Sequence, residues 1–524
     1  MNEIGFTGQM LEQKLTDKSG LTVKELIILI VASIVTLTVV STCSPIYPFN
    51  PGDDINVFFT VGRCIKHGMI PYRDVFDHKG PILYFIYFLA SLISEKSFTG
   101  VWIIECLVAA TFAVFSWKTV KLFVTPSKVS LLFMPVLLGL IYTSGMVDFG
   151  GVTEELCFPL ITVMMYFGLK AIVNGDGLPS GLESLICGVI TGALFWIKFT
   201  FVGFSAGFCL YILIYALKKK SFQRLWQCVW KFAAGVLIVS VPVLIYFVAN
   251  RSLGYLLEAY FYDNLFLYLP KEKYALASMP VISNILNPVY ALLLTVLVFP
   301  VFGILLLLSL VSALFIDKKY RRRVAFLIIL TFMMSAGFIF PKSSFIFYYG
   351  NLLSYGFGLA LIPVIKVFAL LRRSVKGSLV LKILASVTLV ASFFASLLLS
   401  KNLYLLSRPR QSIVQYSFAE TIDQTPDAKV LTYEVNDSGF FMAASILPVN
   451  RYYSPKYFGD SLPELKEEQE RLIEEGYFDY IVTTNHTDCD WENYEMIDEA
   501  EDWLIDYNNN NVYLGYRLYR RTSE

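Results

Sequence analysis

Charged side chains are concentrated between residues 48 and 85, in a stretch flanked by two strongly apolar segments. It reads PFNPGDDINVFFTVGRCIKHGMIPYRDVFDHKGPILYF. An ionised carboxylate of the Asp53–Asp54 pair could act as a general base toward a hydroxyl, or hold a divalent cation such as Mg²⁺ or Mn²⁺. The ammonium of Lys79, where the chain returns to an apolar environment, could bind a lipid phosphate as a point charge.

The two aspartates are predicted to lie at a helix N-terminus. Asp53 and Asp54 follow the turn signal NPG, and the apolar residues after them recur at nearly helical spacing until Gly68. The dipole of such a helix keeps carboxylates in its first turn ionised. The alternative is that Asp53 only caps the helix and Asp54 only stabilises its first turn.

The second half of the stretch, PYRDVFDHKGP, contributes further polar side chains. A Pro-Tyr opening and a Gly-Pro end restrict the backbone on both sides of them. These candidates are Arg73, Asp74, Asp77 and His78. Lys79 has its own alternative role, because a lysine at this place can simply anchor the next helix at the membrane surface.

The composition predicts that these residues are carried by a membrane protein. Hydrophobic residues make up 56% of the 524 residues and charged residues 16%, against about 25% charged in a typical globular domain. The 43 basic and 42 acidic residues nearly balance, so the net charge does not favour binding to nucleic acid. A crossing helix needs about 20 apolar residues. Candidate spans lie near residues 24–43, 98–121, 129–144, 154–173, 184–198, 200–217, 232–249, 286–315, 324–340, 346–371 and 379–400.

These runs predict a mainly α, polytopic membrane protein of about 11–12 transmembrane helices, with its membrane domain over residues 24–400. The apolar run 80–94 is short and is interpreted as re-entrant or interfacial. Basic loops such as 218–231 and 317–323 indicate the cytoplasmic side. This orientation places residues 1–23 inside the cell, and it places the first loop, residues 44–79, on the outer face of the cytoplasmic membrane.

Hydropathy falls at Lys401, and residues 401–524 are predicted to form a small extracytoplasmic α/β domain. Residues 428–433 and 478–485 are rich in β-branched and aromatic residues, which is typical of strands. Residues 461–478 between them predict a helix capped by Ser461. An alternating strand is predicted after the asparagines 508–511. The turn after the first strand, within residues 433–455, either covers the active site or is a packed domain surface.

The segments DDINVFFTVG, HGMIPYRD and DHKGPILYF occur in an order that resembles the first external loop of the GT-C superfamily of polytopic glycosyltransferases. The likeness is to its bacterial branch, similar to protein O-mannosyltransferases and the lipid A aminoarabinose transferase type. It implies transfer of a hexose or pentose from a polyprenyl-phosphate donor, outside the membrane and with inversion. The acceptor would be a hydroxyl of a surface glycan, glycopolymer, lipid or protein.

The resemblance implies roles for individual residues. Asp54 would be the general base, Asp53 would assist it or bind metal, and Lys79 would hold the donor phosphate. Arg73 and Lys342 are further candidates for phosphate binding. Candidates for substrate binding are Asp74, Asp77, His78, Glu154, Glu155, Tyr348 and Tyr349.

Several of these candidates have simpler explanations. Glu154 and Glu155 could only begin a helix favourably. Tyr348 and Tyr349 could belong to an interfacial aromatic belt. Lys198, between two apolar segments, could meet a phosphate or reach back to the membrane surface.

Two other functions compete with glycosyl transfer. A transporter or flippase of lipid-linked sugars would place ionisable residues near the bilayer midplane, whereas this chain concentrates them at one edge. A polymerase or ligase of surface polysaccharides would be expected to carry a strongly basic late external loop. Loop 250–285 has only Arg251, Lys271 and Lys273 against three acidic residues.

Overall fold

The protein is described by a computed structural model over residues 20–145, 147–267, 297, 299–339, 357–374, 379–454, 458, 461–487, 489–505 and 511–522. A bundle of helices occupies most of this chain and a small sheet follows it. The helices of the bundle are α1 (Val23–Val40), α2 (Asp53–Lys66), α3 (Pro81–Ile93), α4 (Thr99–Phe123), α5 (Phe133–Tyr142), α6 (Thr153–Asn174), α7 (Gly181–Ile197), α8 (Val202–Lys219), α9 (Phe222–Ala249), α10 (Leu253–Leu256), α11 (Pro300–Phe315), α12 (Lys318–Ile339), α13 (Phe357–Ser374) and α14 (Leu379–Leu397). A π-helix, Leu257–Leu267, continues α10.

Within the described residues, six helices are long and apolar enough to cross a membrane: α1, α4, α6, the segment Phe199–Lys219 that contains α8, α9 and α14. Shorter apolar helices accompany them at Pro81–Ile93, Val129–Tyr142, Gly181–Ile197, Pro300–Phe315 and Gly358–Leu371. The chain is therefore a multi-pass membrane protein, and the predicted fold class is confirmed.

Two helices begin clearly earlier than predicted: α9, and α12, which begins at Lys318 rather than near residue 324. A span was expected over residues 232–249, but α9 begins at Phe222, inside the basic stretch 218–231. Residues 222–231, which precede the predicted start, include Gln, Arg, Leu and Trp, and a helix accommodates these residue types well. The basic side chains of this segment can extend toward water while their stems stay apolar.

Helices α1 and α4 are antiparallel, and this fixes which segments share a face of the membrane. At one end the carboxylate of Glu25 accepts a hydrogen bond from Trp117 Nε1 at 2.9 Å and pairs with Lys121 at 3.1 Å. At the other end Ser41 Oγ donates to Glu105 at 2.8 Å. The end of α1 and the start of α4 are thus on one side of the membrane. The segment that connects them, which contains α2 and α3, therefore begins and ends on that side.

The residues after Lys401 form the small domain with a four-stranded sheet. Its elements are α15 (Val414–Ile422), β1 (Val430–Thr432), α16 (Phe440–Ala443), α17 (Pro463–Glu474), β2 (Tyr480–Thr484), β3 (Tyr494–Ile505) and β4 (Asn511–Arg521). The strand order is β1-β2-β4-β3, with β1 parallel to β2 and the other pairs antiparallel. The N-cap of α17 is Leu462, so the predicted cap at Ser461 is wrong.

The C-terminal domain packs against α2. Thr60 Oγ1 donates a hydrogen bond to Asp437 Oδ2 at 2.5 Å. One turn further along, Arg63 Nη1 donates to the carbonyl oxygen of Phe441 at 3.0 Å. All four residues are buried. Helix α2 therefore lies between the membrane bundle and the sheet domain.

Candidate active site

The predicted aspartates open α2, as the sequence indicated, and they face different neighbours. Gly52 is the N-cap, and Asp53 and Asp54 form the first turn, where both are partly buried. Asp53 Oδ1 accepts a hydrogen bond from Ser438 Oγ of the C-terminal domain at 2.8 Å. Asp54 instead acts electrostatically on His78, in the second half of the loop.

Asp77, His78 and Lys79 form a hydrogen-bonded row. His78 Nδ1 lies 3.2 Å from Asp77 Oδ1, and His78 Nε2 lies 3.0 Å from Lys79 Nζ. Tyr84 OH donates to the second oxygen of Asp77 at 2.7 Å. Since the ammonium can only donate, Nε2 is the acceptor and Nδ1 carries the proton that is directed to Asp77.

The charges in this row fix its protonation. Burial opposes ionisation of Asp77, but the hydrogen bonds from His78 and Tyr84 and the charge of Lys79 outweigh it and lower the pKa of Asp77 to about 2. Burial and the charge of Lys79 lower the pKa of His78, although Asp77 and Asp54 act in the opposite direction. A neutral imidazole, only 3% exposed, therefore orients the ammonium of Lys79.

The backbone around Lys79 is fixed from both sides. Its N–H donates to Tyr84 OH at 2.9 Å, and its carbonyl accepts from Tyr72 OH at 2.6 Å. The N–H of Gly80 donates to the carbonyl of Ile197, the last residue of α7, at 3.2 Å. A Cβ on Gly80 would lie 2.0 Å from the carbonyl oxygen of Trp196, so only glycine allows this approach.

This backbone contact brings a second lysine to the site. Lys198 follows Ile197 directly, just as Lys79 precedes Gly80. Lys198 Nζ lies 2.5 Å from Glu154 Oε1, and the side chains of this ion pair are 15% and 11% exposed. The charge of Lys79 also acts on Glu154. One carboxylate thus interacts with both ammonium groups.

The structure separates the roles of the two adjacent glutamates. While Glu154 meets the lysines, Glu155 Oε2 accepts from the N–H of Gly151 at 3.0 Å. The same N–H is 2.6 Å from Glu105 Oε1 on α4, so two buried carboxyl groups converge on one donor. Tyr87 OH in turn donates to the carbonyl of Gly151 at 2.5 Å. Glu155 therefore belongs to the scaffold behind α2 rather than to the lysine cluster.

Other predicted residues have different surroundings. Arg73 binds Asp74 with Nε–Oδ1 at 2.7 Å and donates from Nη1 to the carbonyl of Asn250 at 3.0 Å. These contacts hold the turn of the loop, and phosphate binding by Arg73 stays a prediction. Lys342, Tyr348 and Tyr349 lie outside the described residues.

Sequence reasoning missed two contributors. Asn264, on the π-helix, donates from Nδ2 to the carbonyl of His78 at 2.6 Å. Ser438 binds Asp53, so part of the segment 433–455 does reach the aspartates. The available signal for Asn264 was its position as a polar residue within an aromatic segment. The available signal for Ser438 was the turn sequence NDSG.

The described residues include no group of three or more His, Cys, Asp and Glu side chains that could hold a metal ion. A divalent cation at Asp53 and Asp54 would therefore take most of its ligands from substrate or water. The carboxylates are of the type that Mg²⁺ and Mn²⁺ prefer.

Comparison with solved structures identifies the fold. No protein-family model matches the sequence, and no curated protein matches it significantly. ArnT from Cupriavidus metallidurans bound to undecaprenyl phosphate superposes with a TM-score of 0.56, at 12% identity over 94% of this chain and 97% of that one. Its apo state gives 0.56 at 13% identity, over 88% and 92% of the two chains.

A third similar structure is the mycobacterial arabinofuranosyltransferase AftD, with a TM-score of 0.42 at 11% identity, over 97% of this chain and 40% of that one. ArnT is a lipid A aminoarabinose transferase with the GT-C fold. The match to ArnT spans nearly the whole of both chains. It confirms the GT-C fold that the loop motifs predicted.

Proposed function

We propose that this protein, which has the GT-C fold, is a membrane glycosyltransferase. It moves a hexose or pentose from a polyprenyl-phosphate donor to a hydroxyl of a surface glycan, glycopolymer, lipid or protein, on the outer side of the cytoplasmic membrane. One observation carries the proposal: His78 contacts the Lys79 ammonium at 3.0 Å and lies within electrostatic reach of the Asp54 carboxylate. Such a pair provides a base for the entering hydroxyl and a cation for the departing phosphate.

The reaction needs few groups because a polyprenyl phosphate is already a good leaving group. The acceptor oxygen attacks the anomeric carbon from the face opposite the phosphate, and Asp54 takes the hydroxyl proton. The bond between the anomeric carbon and the phosphate oxygen breaks, and its electron pair leaves with the polyprenyl phosphate. The anomeric configuration is inverted.

Lys79 and Lys198 form the phosphate side of the site. Glu154 is their counterion before the donor binds, since it pairs with Lys198 and interacts with Lys79. A phosphate placed between the two ammonium groups would share this positive charge. Charge-assisted hydrogen bonds of this kind stabilise the negative charge that develops on the leaving oxygen.

The undecaprenyl phosphate bound to ArnT supports the choice of donor, because that carrier is a polyprenyl phosphate. Asp53 would assist from the acceptor side, where Ser438 fixes its carboxylate. Asp77 and His78 act as positioning residues for Lys79, because they orient its ammonium through one hydrogen-bonded row.

The test is transfer from synthetic polyprenyl-phosphate sugars by the purified full-length protein. Asp54→Asn should lower the rate by about 10²–10⁴-fold, which is the usual contribution of a general base. Asp53→Asn is the matched control, because it removes a neighbouring carboxylate of the same turn and should cost less. Undiminished transfer by folded Asp54→Asn protein would show that another group is the base.

A further inference from the structure

A polar cavity of about 340 Å³ lies at the opposite end of α2 from the aspartates. The last turn of α2, the end of α3 with the turn after it, and Ser445 of the C-terminal domain form its wall. None of its lining residues takes part in the cluster around Lys79. The cavity therefore has a chemistry of its own.

The wall of this cavity carries an excess of positive charge. Arg63, Lys66 and Lys96 line it, and Glu95 is the one carboxylate among its lining residues. Glu95 pairs with Lys66, and its Oε2 lies 2.9 Å from His67 Nε2 at the rim. Asp437, which does not line the cavity, also acts on Arg63, so two carboxylates face three permanent cations and a net positive charge remains for another anion.

Arg63 provides an unused donor in this wall. Its side chain is 2% exposed, and Nη1 is occupied by the carbonyl of Phe441. Its Nε forms no hydrogen bond among the described residues and lies 3.9 Å from Glu95 Oε2. A buried guanidinium N–H without an acceptor is costly. An anion in the cavity would satisfy it.

The cavity also lies beside the start of a candidate membrane span. Residues 94–98 connect α3 to α4, which is long and apolar enough to span the membrane from Thr99 onward. Beside the cations, Leu92 and Ile93 are 53% and 55% exposed, and Leu89 on the preceding turn is 55% exposed. Exposed apolar side chains next to basic ones are typical of sites that meet lipid tails and headgroups together.

We propose that this cavity binds the phosphate of an anionic phospholipid, with its acyl chains along the exposed face of α3. Arg63, Lys66 and Lys96 contact the phosphate, and Glu95 is the counterion that the lipid displaces in part. The adjacent apolar surface favours a membrane lipid over a soluble anion. Because α2 carries Asp54 at its far end, the bound lipid would fix the helix that presents the aspartates.

The experiment is titration of the full-length protein in dodecyl maltoside with short-chain phosphatidylglycerol, with phosphatidylcholine as the zwitterionic reference. Lys66→Ala and Lys96→Ala should each weaken binding of phosphatidylglycerol about fivefold, since a basic residue near an anionic lipid contributes about that much. Glu95→Gln should strengthen it. Lys24→Ala is the control, because Lys24 is an exposed lysine at the start of α1, on the other membrane face.

Unchanged binding by the two lysine variants and by Glu95→Gln would overturn the proposal. So would binding of inorganic phosphate that phosphatidylglycerol cannot displace, because the cavity would then hold a soluble anion. Lys96 is exposed at the surface, so its variant is expected to fold even if Lys66→Ala does not. None of these variants touches Asp54 or Lys79, so failure here leaves the proposed transfer reaction open to its own test.

Discussion

Replacement of Lys198 by methionine is expected to damage both stability and activity, and the two effects can be separated. Lys198 and Glu154 are 2.5 Å apart and only 15% and 11% exposed. An exposed pair would contribute about 0–1 kcal/mol. Removal of one partner from a buried pair costs about 3–5 kcal/mol when the other charge is left uncompensated. Because Lys79 still acts on Glu154, the loss in Lys198→Met should lie at the lower end, about 3 kcal/mol.

The double variant Lys198→Met/Glu154→Gln removes both charges together. Its stability should therefore recover toward that of the wild type, with a coupling energy of about 3 kcal/mol in the double-mutant cycle. Transfer activity should not recover, because the cation proposed for the phosphate is still missing. A loss of about 10²-fold or more in rate is expected from both the single and the double variant.

Unfolding of the detergent-solubilised protein by heat or denaturant measures the effect on stability. Initial rates with a polyprenyl-phosphate sugar donor measure the effect on activity. Two results would refute the reasoning. One is a Lys198→Met protein as stable as the wild type, which would mean that the pair is effectively solvated. The other is a double variant with wild-type activity, which would remove Lys198 from the phosphate site.

Further predictions concern the loop and the domain contact. Gly80→Ala should abolish transfer and lower thermal stability, because its Cβ would lie 2.0 Å from a backbone oxygen. Gly254→Ala is the control, because its Cβ would have no neighbour within 4 Å, and it should change neither the transfer rate nor the thermal stability. Ionised Asp77 should stabilise the fold above about pH 4, and about 2 kcal/mol of unfolding free energy should be lost as the pH falls toward its pKa of about 2. In Asp77→Asn the unfolding free energy should depend less on pH over this range. An unchanged pH dependence would contradict the assignment. Ser438→Ala should reduce turnover severalfold with little change in unfolding temperature, and equal rates would show that Asp53 needs no support from the C-terminal domain.

The placement of much of the candidate site could be predicted, because its first half is local in sequence. Asp54, His78 and Lys79 lie within one loop of the chain, and the helical spacing after Asp54 placed the carboxylates at a helix start. The GT-C fold followed from the same loop. These are short-range patterns, and hydropathy and turn residues report them directly.

The pairing of Glu154 with Lys198 was beyond such patterns. The two residues are 44 positions apart, and their contact requires the start of α6 to lie beside the end of α7. A sequence without its tertiary contacts offers Lys198 as one more lysine between apolar segments. The same limit explains why Glu154 and Glu155 were equivalent candidates, although their side chains have different partners in the structure.

Strand β3 was missed for a different reason. Its sequence, YEMIDEAEDWLI, is rich in acidic residues and low in β-branched ones, so it does not resemble a strand. It forms because β4 pairs with it along its whole length and supplies arginines opposite its glutamates. Arg517 and Arg520 pair with Glu499 and Glu495 at 3.2 Å and 2.7 Å.

The position of α2 between the membrane helices and the C-terminal sheet domain has a practical consequence. Thr60 and Arg63 are hydrogen bonded to Asp437 and to the Phe441 carbonyl, so polar groups on the far side of this helix depend on the C-terminal domain. A protein shortened at residue 400 would expose a buried guanidinium and hydroxyl to water and free the helix to tilt. The terminal domain is therefore not a detachable module: grafting or exchanging it would require redesign of the helix that begins with the aspartates.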